Sequence, residues 1–176
     1  MANAKVLVPF ILKWEGGYAN VKGDRGGATN KGITIATYKA LGRWDNNHDG
    51  KVDEKDLKLL TDEQWYIIYK KSFWDKWRAD EIKNQSIANI LVDWVWASGK
   101  YGITKPQAML GLKADGIVGA KTLSAINNYP NQKELFDKIK ALRLQFVDNI
   151  VKNNPSQKKF VKGWKNRINA FKYTNS

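Results

Sequence analysis

The sequence predicts a mainly α-helical fold with at most one small β-hairpin, and three observations carry that expectation. Apolar residues recur at helical spacing along most of the chain, as in Val6, Phe10 and Trp14, and again in Ile87, Ile90, Leu91, Trp94 and Val95. Helix boundaries are written into the chain: T-D-E-Q at 61–64 is a capping box, and Gly16, Gly42 and Gly99 each follow a periodic stretch. The one segment unlike a helix, 18–34, is rich in Gly, Asn, Asp and Thr, which suits a loop with a small hairpin.

In chain order, 6–14 reads as a helix stopped by Gly16-Gly17, and 35–41 as a short helix ended by Gly42. After the polar stretch 45–56, a helix continues over 54–60, and the capping box opens another that runs to about Phe73. The strongly apolar 86–97 is the central buried helix. Residues 106–110 make one or two helical turns, 114–119 a turn and 120–127 a helix. A long amphipathic helix over 133–152 is broken by Pro155, and a last helix covers 156–173. This divides the chain into 1–98 and a helical C-terminal region, 99–176, packed with it as one globule.

A chain of 176 residues, 43% hydrophobic, can bury a real core. Its eight Trp serve either that core or a platform for sugars, bases or partners. The net charge of +13 draws it to polyanions, and 131–176 alone holds 11 Lys/Arg against 3 Asp/Glu. No apolar run approaches the ~18 residues of a membrane span. The first twelve residues lack the order of a signal peptide, so we expect synthesis in the cytoplasm followed by release.

Counting residues removes whole mechanisms. With no Cys and only His48, Cys-His peptidase chemistry is excluded, and Ser-His-Asp hydrolysis and two-histidine zinc sites would each need a His elsewhere or more than one. Carboxylates remain, and glycoside hydrolysis is the common hydrolytic chemistry that carboxylates perform alone.

Residues 45–56 follow the calcium-loop pattern. Side-chain oxygens fall at Asp45, Asn47, Asp49 and Asp53, Gly50 stands where the sharp turn needs it, and Lys51 offers its carbonyl. Asp56 occupies the last position, one methylene shorter than the usual Glu. The segment also resembles a single dockerin-type repeat; dockerins carry it twice, which argues against a cohesin-binding module. We expect a structural Ca²⁺ here, with His48 facing solvent.

Glu15 closes the first helix, at the negative end of its dipole, with Trp14 and Tyr18 as an apolar wall. Both features favour a protonated carboxyl, as a general acid requires. Asp24 follows nine residues later among Gly23, Gly26 and Gly27, placed to orient or activate water, and Thr29 and Asn30 offer hydroxyl and amide groups for sugar or water.

The segment E-G-G-Y-A-N-V-K-G-D-R-G-G-A-T-N-K-G-I-T-I-A-T (15–37) resembles the signature of glycoside hydrolase family 108, N-acetylmuramidases known from phage endolysins and prophage-like genes. Further along, L-T-D-E-Q-W-Y-I-I-Y-K-K-S-F-W-D, I-A-N-I-L-V-D-W-V-W-A-S-G and K-A-D-G-I-V-G-A-K-T-L agree, the last resembling that family's peptidoglycan-binding segment. The resemblance implies a lysozyme-like fold, with the calcium loop as an insertion. It matches Glu15 to the catalytic glutamate and Asp24 to the carboxylate after it. A catalytic tyrosine proposed in one branch has Tyr101 as its candidate. The implied partners are peptidoglycan and anionic wall polymers, met by a monomer without nucleic acid.

Two other readings stand beside this one. A non-catalytic, calcium-stabilised wall binder would not need both Glu15 and Asp24. Nucleic-acid binding rests on charge alone: Lys158, Lys159, Lys162, Lys165 and Arg167 with Phe160 and Trp164 equally make a basic solvated face over an apolar seam.

Overall fold

A computed structural model describes residues 1–20, 26–42 and 44–175. The architecture is mainly α and lysozyme-like, with one two-stranded antiparallel hairpin among the described residues. The chain forms two compact units, 5–73 and 74–176 with 1–4, and each is described by itself.

In the first unit, helix α1 (Ala4–Trp14) buries Leu7 and Ile11 and carries Pro9 on its exposed side. Strands β1 (Thr29–Asn30) and β2 (Ile33–Thr34) pair Thr29 with Thr34 and Asn30 with Ile33. Lys31 and Gly32 between them both take positive φ, +48° and +80°, which gives the two-residue turn that matches strand twist. Thr34 then caps α2 (Ile35–Leu41), its hydroxyl accepting from the Thr37 amide. At Gly42 a Cβ would meet the Tyr38 carbonyl and the Trp44 ring at 2.6 Å each, so only glycine lets the chain leave α2 along this path.

Helix α3 (Glu54–Lys58) starts with a reciprocal cap between Asp53 and Asp56. The expected Thr61–Gln64 capping box opens α4 (Asp62–Tyr69). The helical run reaches the expected Phe73, but Lys70–Trp74 widen into a π turn, and two short 3₁₀ turns follow, Asp75–Trp77 and Ala79–Glu81.

The second unit is built on α5 (Gln85–Ser98), capped by Asn84 and buried along most of its length. Gly99, at φ +59°, turns the chain into α6 (Tyr101–Met109). A Cβ on Gly102 would lie 2.5 Å from the Val95 amide nitrogen, which is how closely α5 and α6 approach. Helix α6 is longer than the turns expected at 106–110. Pro106 sits inside it and supplies no N–H for the Gly102 carbonyl; the Trp77 indole Nε1 donates to that carbonyl instead, at 3.2 Å.

Helices α7 (Ala120–Asn127) and α8 (Gln132–Asn153) follow, and Pro155 stands in a 3₁₀ turn before α9 (Lys158–Asn169). The last helix stops short of the expected 173. Phe171 is buried, and the Thr174 amide donates to Ser86 Oγ at 2.9 Å, so the tail docks on the start of α5. No helix among the described residues is long and apolar enough to cross a membrane.

Candidate active site

Glu15 stands where α1 gives out: its amide donates to the Ile11 carbonyl at 3.1 Å, and the side chain is half-buried. Beside it, the Trp14 indole lies 6.3 Å from the Phe10 ring, with Lys13 Nζ 6.0 Å from its own ring. The Trp14 Nε1 is enclosed and meets no acceptor among the described residues.

Helix α1 ends just before Gly16-Gly17, as the sequence predicts. Both are exposed, and neither adopts the left-handed backbone that commonly closes a helix. After them Ala19 and Thr29 exchange two backbone hydrogen bonds of 2.8 Å, bringing the chain after Glu15 alongside β1. Asp24 falls between these bridged positions in sequence and lies outside the described residues.

Strand alternation sorts the remaining candidates onto two faces. Tyr18, Asn20 and Asn30 face α3. The Tyr18 ring lies 5.7 Å from Lys58 Nζ, Asn20 donates to Glu54 Oε2 at 3.3 Å, and the buried Asn30 amide donates to the Leu57 carbonyl at 2.9 Å. Thr29 points the other way. The Asn30 amide nitrogen is therefore committed to holding the hairpin on α3, a role the sequence reading did not assign. Tyr101, at the start of α6 in the other unit, is exposed with its ring 5.5 Å from Phe146.

The 45–56 loop winds around its own side chains. Asp45 accepts from the Asp49 amide at 3.0 Å and the Gly50 amide at 2.7 Å, and Asp49 accepts from the Lys51 amide at 3.0 Å. Asn47 Oδ1 also accepts from Asp49, at 3.1 Å. His48 and Gly50 supply the left-handed steps, φ +58° and +81°. Asp53 turns its Oδ1 to the Lys55 amide as the α3 cap.

Buried Asp56 accepts from the Asp53 amide at 2.8 Å and the Asn47 amide at 3.1 Å. These N–H groups, that of Asp53 foremost, hold its carboxyl below the usual range. Carboxylates, an amide oxygen and a carbonyl are a donor set suited to a hard cation. Among the described residues, however, no three Asp, Glu or His side chains are grouped as they would be around an ion. Asn46, absent from the sequence reading, ties the loop down. Its Nδ2 donates to Tyr38 Oη, to the Asp56 carbonyl and to Gln64 Oε1 at 3.0–3.2 Å, and its Oδ1 accepts from Gln64 at 2.9 Å.

With this geometry in place, comparison with known proteins decides the family. The family model described as glycosyl hydrolase 108 matches residues 8–99, more than half of the chain. The protein belongs to glycosyl hydrolase family 108. A second model, described as a predicted peptidoglycan domain, matches residues 101–169 of this hydrolase. Among solved structures, Brucella abortus SagA is similar over 94% of this chain and 89% of its own, with 29% identity and a TM-score of 0.76. No curated protein sequence matches. The family 108 hydrolase is thus a glycoside hydrolase acting on peptidoglycan.

The unit 74–176 holds two polar clusters. Asp93 on α5 is fully buried and binds Arg143 of α8 at 3.1 Å and Arg167 of α9 at 2.7 Å. Arg167 therefore turns inward rather than lying on the basic solvated face read from the sequence. Gln107, 1% exposed, donates to the Ile117 carbonyl at 3.0 Å and accepts from the Gly116 amide at 3.0 Å. It shapes the K-A-D-G-I-V-G loop from below.

Proposed function

We propose that this family 108 hydrolase is an N-acetylmuramidase of lysozyme type. It cleaves the β-1,4 bond between N-acetylmuramic acid and N-acetylglucosamine, with Glu15 as general acid. The observation that supports this most is the position of Glu15: a half-buried carboxyl at a helix end, followed by two exposed residues without side chains. Asp24 is assigned to the attacking water. A loop carboxylate nine residues on leaves room for water, so we assign inversion, for which carboxyl separations of ~6.5–9.5 Å are usual. Thr29 and Tyr18 contact sugar, and Tyr101 is the candidate for the family tyrosine. Asn30 is better read as structural.

Ca²⁺ in the 45–56 loop, through Asp45, Asn47, Asp49, the Lys51 carbonyl, Asp53 and Asp56, would stabilise the fold and take no part in the chemistry. The excess of +13 would hold the enzyme, as a monomer, on anionic wall polymers. We assign it a bacteriolytic, endolysin-like role, reaching the wall after release from the cytoplasm.

The deciding experiment is digestion of purified peptidoglycan with analysis of the new ends. N-acetylmuramic acid at the reducing end is expected. N-acetylglucosamine there, or free peptide stems, would end the muramidase reading, and a β-anomer as first product would end inversion.

A further inference from the structure

Glycine loses more conformational freedom on folding than any other residue, so each one asks for a reason. Most described glycines have one inside the chain. Six take the left-handed backbone, and at Gly42 and Gly102 a Cβ would strike backbone within 2.6 Å. Gly16 and Gly17 have neither. Their φ values lie outside the left-handed region, and nothing comes within 4 Å of a Cβ built on either. Both are exposed, and neither forms a hydrogen bond with another described residue. The chain itself would accept alanine at both positions, as it would at Gly119 and Gly163; what sets this pair apart is that it directly follows Glu15.

Taking Glu15 as the acid, which this inference rests on, supplies a reason for bare backbone here. An acid must come within ~2.6–3.2 Å of the glycosidic oxygen. The sugars on either side of that bond then lie over the residues that follow Glu15. Each sugar of the strand carries an acetamido group, one donor and one acceptor, the complement of an unpaired peptide edge. We infer that Gly16-Gly17 is a sugar subsite: the glycan lies directly on this backbone, and its free N–H and C=O groups pair with the acetamido group of a sugar beside the cleaved bond. A methyl group there would sit at the ~3.5–4.0 Å contact distance the ring needs and push the ring away. A displacement of ~1 Å costs about 10²-fold in rate.

The test uses Gly16→Ala and Gly17→Ala in the full chain, with kcat and KM measured on purified peptidoglycan and on the same material after chemical de-N-acetylation. Gly163→Ala, at another open glycine but on α9, is the control and should raise the melting temperature with kcat/KM unchanged. Both subsite variants should melt at or above the wild-type temperature and lose about 10–10²-fold in kcat/KM on the N-acetylated wall. On de-N-acetylated wall the wild type should weaken and the variants' further loss should shrink, because both changes remove one contact.

Near-wild-type kcat/KM in both variants overturns the inference. So does a marked fall in melting temperature, or a loss of equal size on the two substrates. Glu15→Gln run alongside separates the two readings: if it stays active, the acid assignment fails, whereas inert glycine variants beside a silent Glu15→Gln remove the subsite alone.

Discussion

The two compact units are held by different means. In 74–176 the buried surface belongs to long helices: Ile87, Ile90, Leu91 and Trp94 of α5, and Leu135, Phe136 and Ile139 of α8. In 5–73 the helices are short, and polar side chains bonded to backbone do much of the work. Asn30 and Asn46 bind carbonyls of the α3 region, while Asp45, Asp53 and Asp56 gather the amides of the loop before it. The difference teaches that a polar residue in the unit carrying Glu15 is not thereby a substrate residue. Short elements leave many backbone groups to satisfy, and side chains are drawn to them first.

The largest effect that would test this contrast concerns chemistry without stability. Glu15→Gln keeps shape and hydrogen bonding but supplies no acidic proton, and loss of general acid catalysis costs ~10²–10⁴-fold. Reducing-sugar release should fall by that factor while wall adsorption and melting temperature persist. Near-normal lysis would leave no residue with a comparable claim.

The converse is stability without chemistry. Asp93→Ala would strand Arg143, 2% exposed, and Arg167 without their shared anion. Breaking a buried pair in this way costs about 3–5 kcal/mol, roughly 10 °C in a chain of this size. Turnover at low temperature should survive. A melting temperature within ~2 °C of wild type would show that the cluster is solvated rather than structural.

The third effect belongs to the loop-rich unit. If the 45–56 loop takes Ca²⁺, saturation at ~100 times Kd stabilises by about 2.7 kcal/mol. Calcium should raise the melting temperature, chelation should reverse the rise, and Asp49→Ala should abolish it with activity at moderate temperature retained. Chelation that stops catalysis in a folded enzyme would make the ion catalytic. No calcium response at all would leave the loop as the self-bonded turn its amides already form.

The same contrast explains what was legible in the sequence. The α5 stripe and the Thr61–Gln64 box were readable because period and capping are local rules. The family signature around Glu15 was readable because it is long. Asn46, the Asp93 cluster and the inward turn of Arg167 were not, because each joins residues far apart in the chain, and no local pattern marks a buried ion pair. The bond from Asn30 to the Leu57 carbonyl was hidden for a related reason: an Asn beside a Gly-rich loop looks alike whether its amide faces a sugar or a backbone carbonyl.

The smallest effect tests whether the contrast is one of units or of loops. The helical unit has one loop built in the manner of the other, K-A-D-G-I-V-G. Here Asp115 Oδ1 accepts from the Ile117 amide at 2.9 Å and from Gln107 Nε2 at 3.3 Å. The Ile117 amide first, then Gln107 and the charge of Lys113, hold the Asp115 carboxyl below the usual range. A carboxyl depressed by folding contributes stability that is fully present above its unfolded value, near 3.9, and lost as pH falls through its folded value. Wild type should therefore lose melting temperature between about pH 5 and pH 3. Asp115→Asn should start slightly lower at neutral pH and fall less over the same window. Parallel acid profiles for the two proteins would mean that Gln107 alone shapes this loop. Polar scaffolding by carboxylates would then be confined to the unit that carries Glu15.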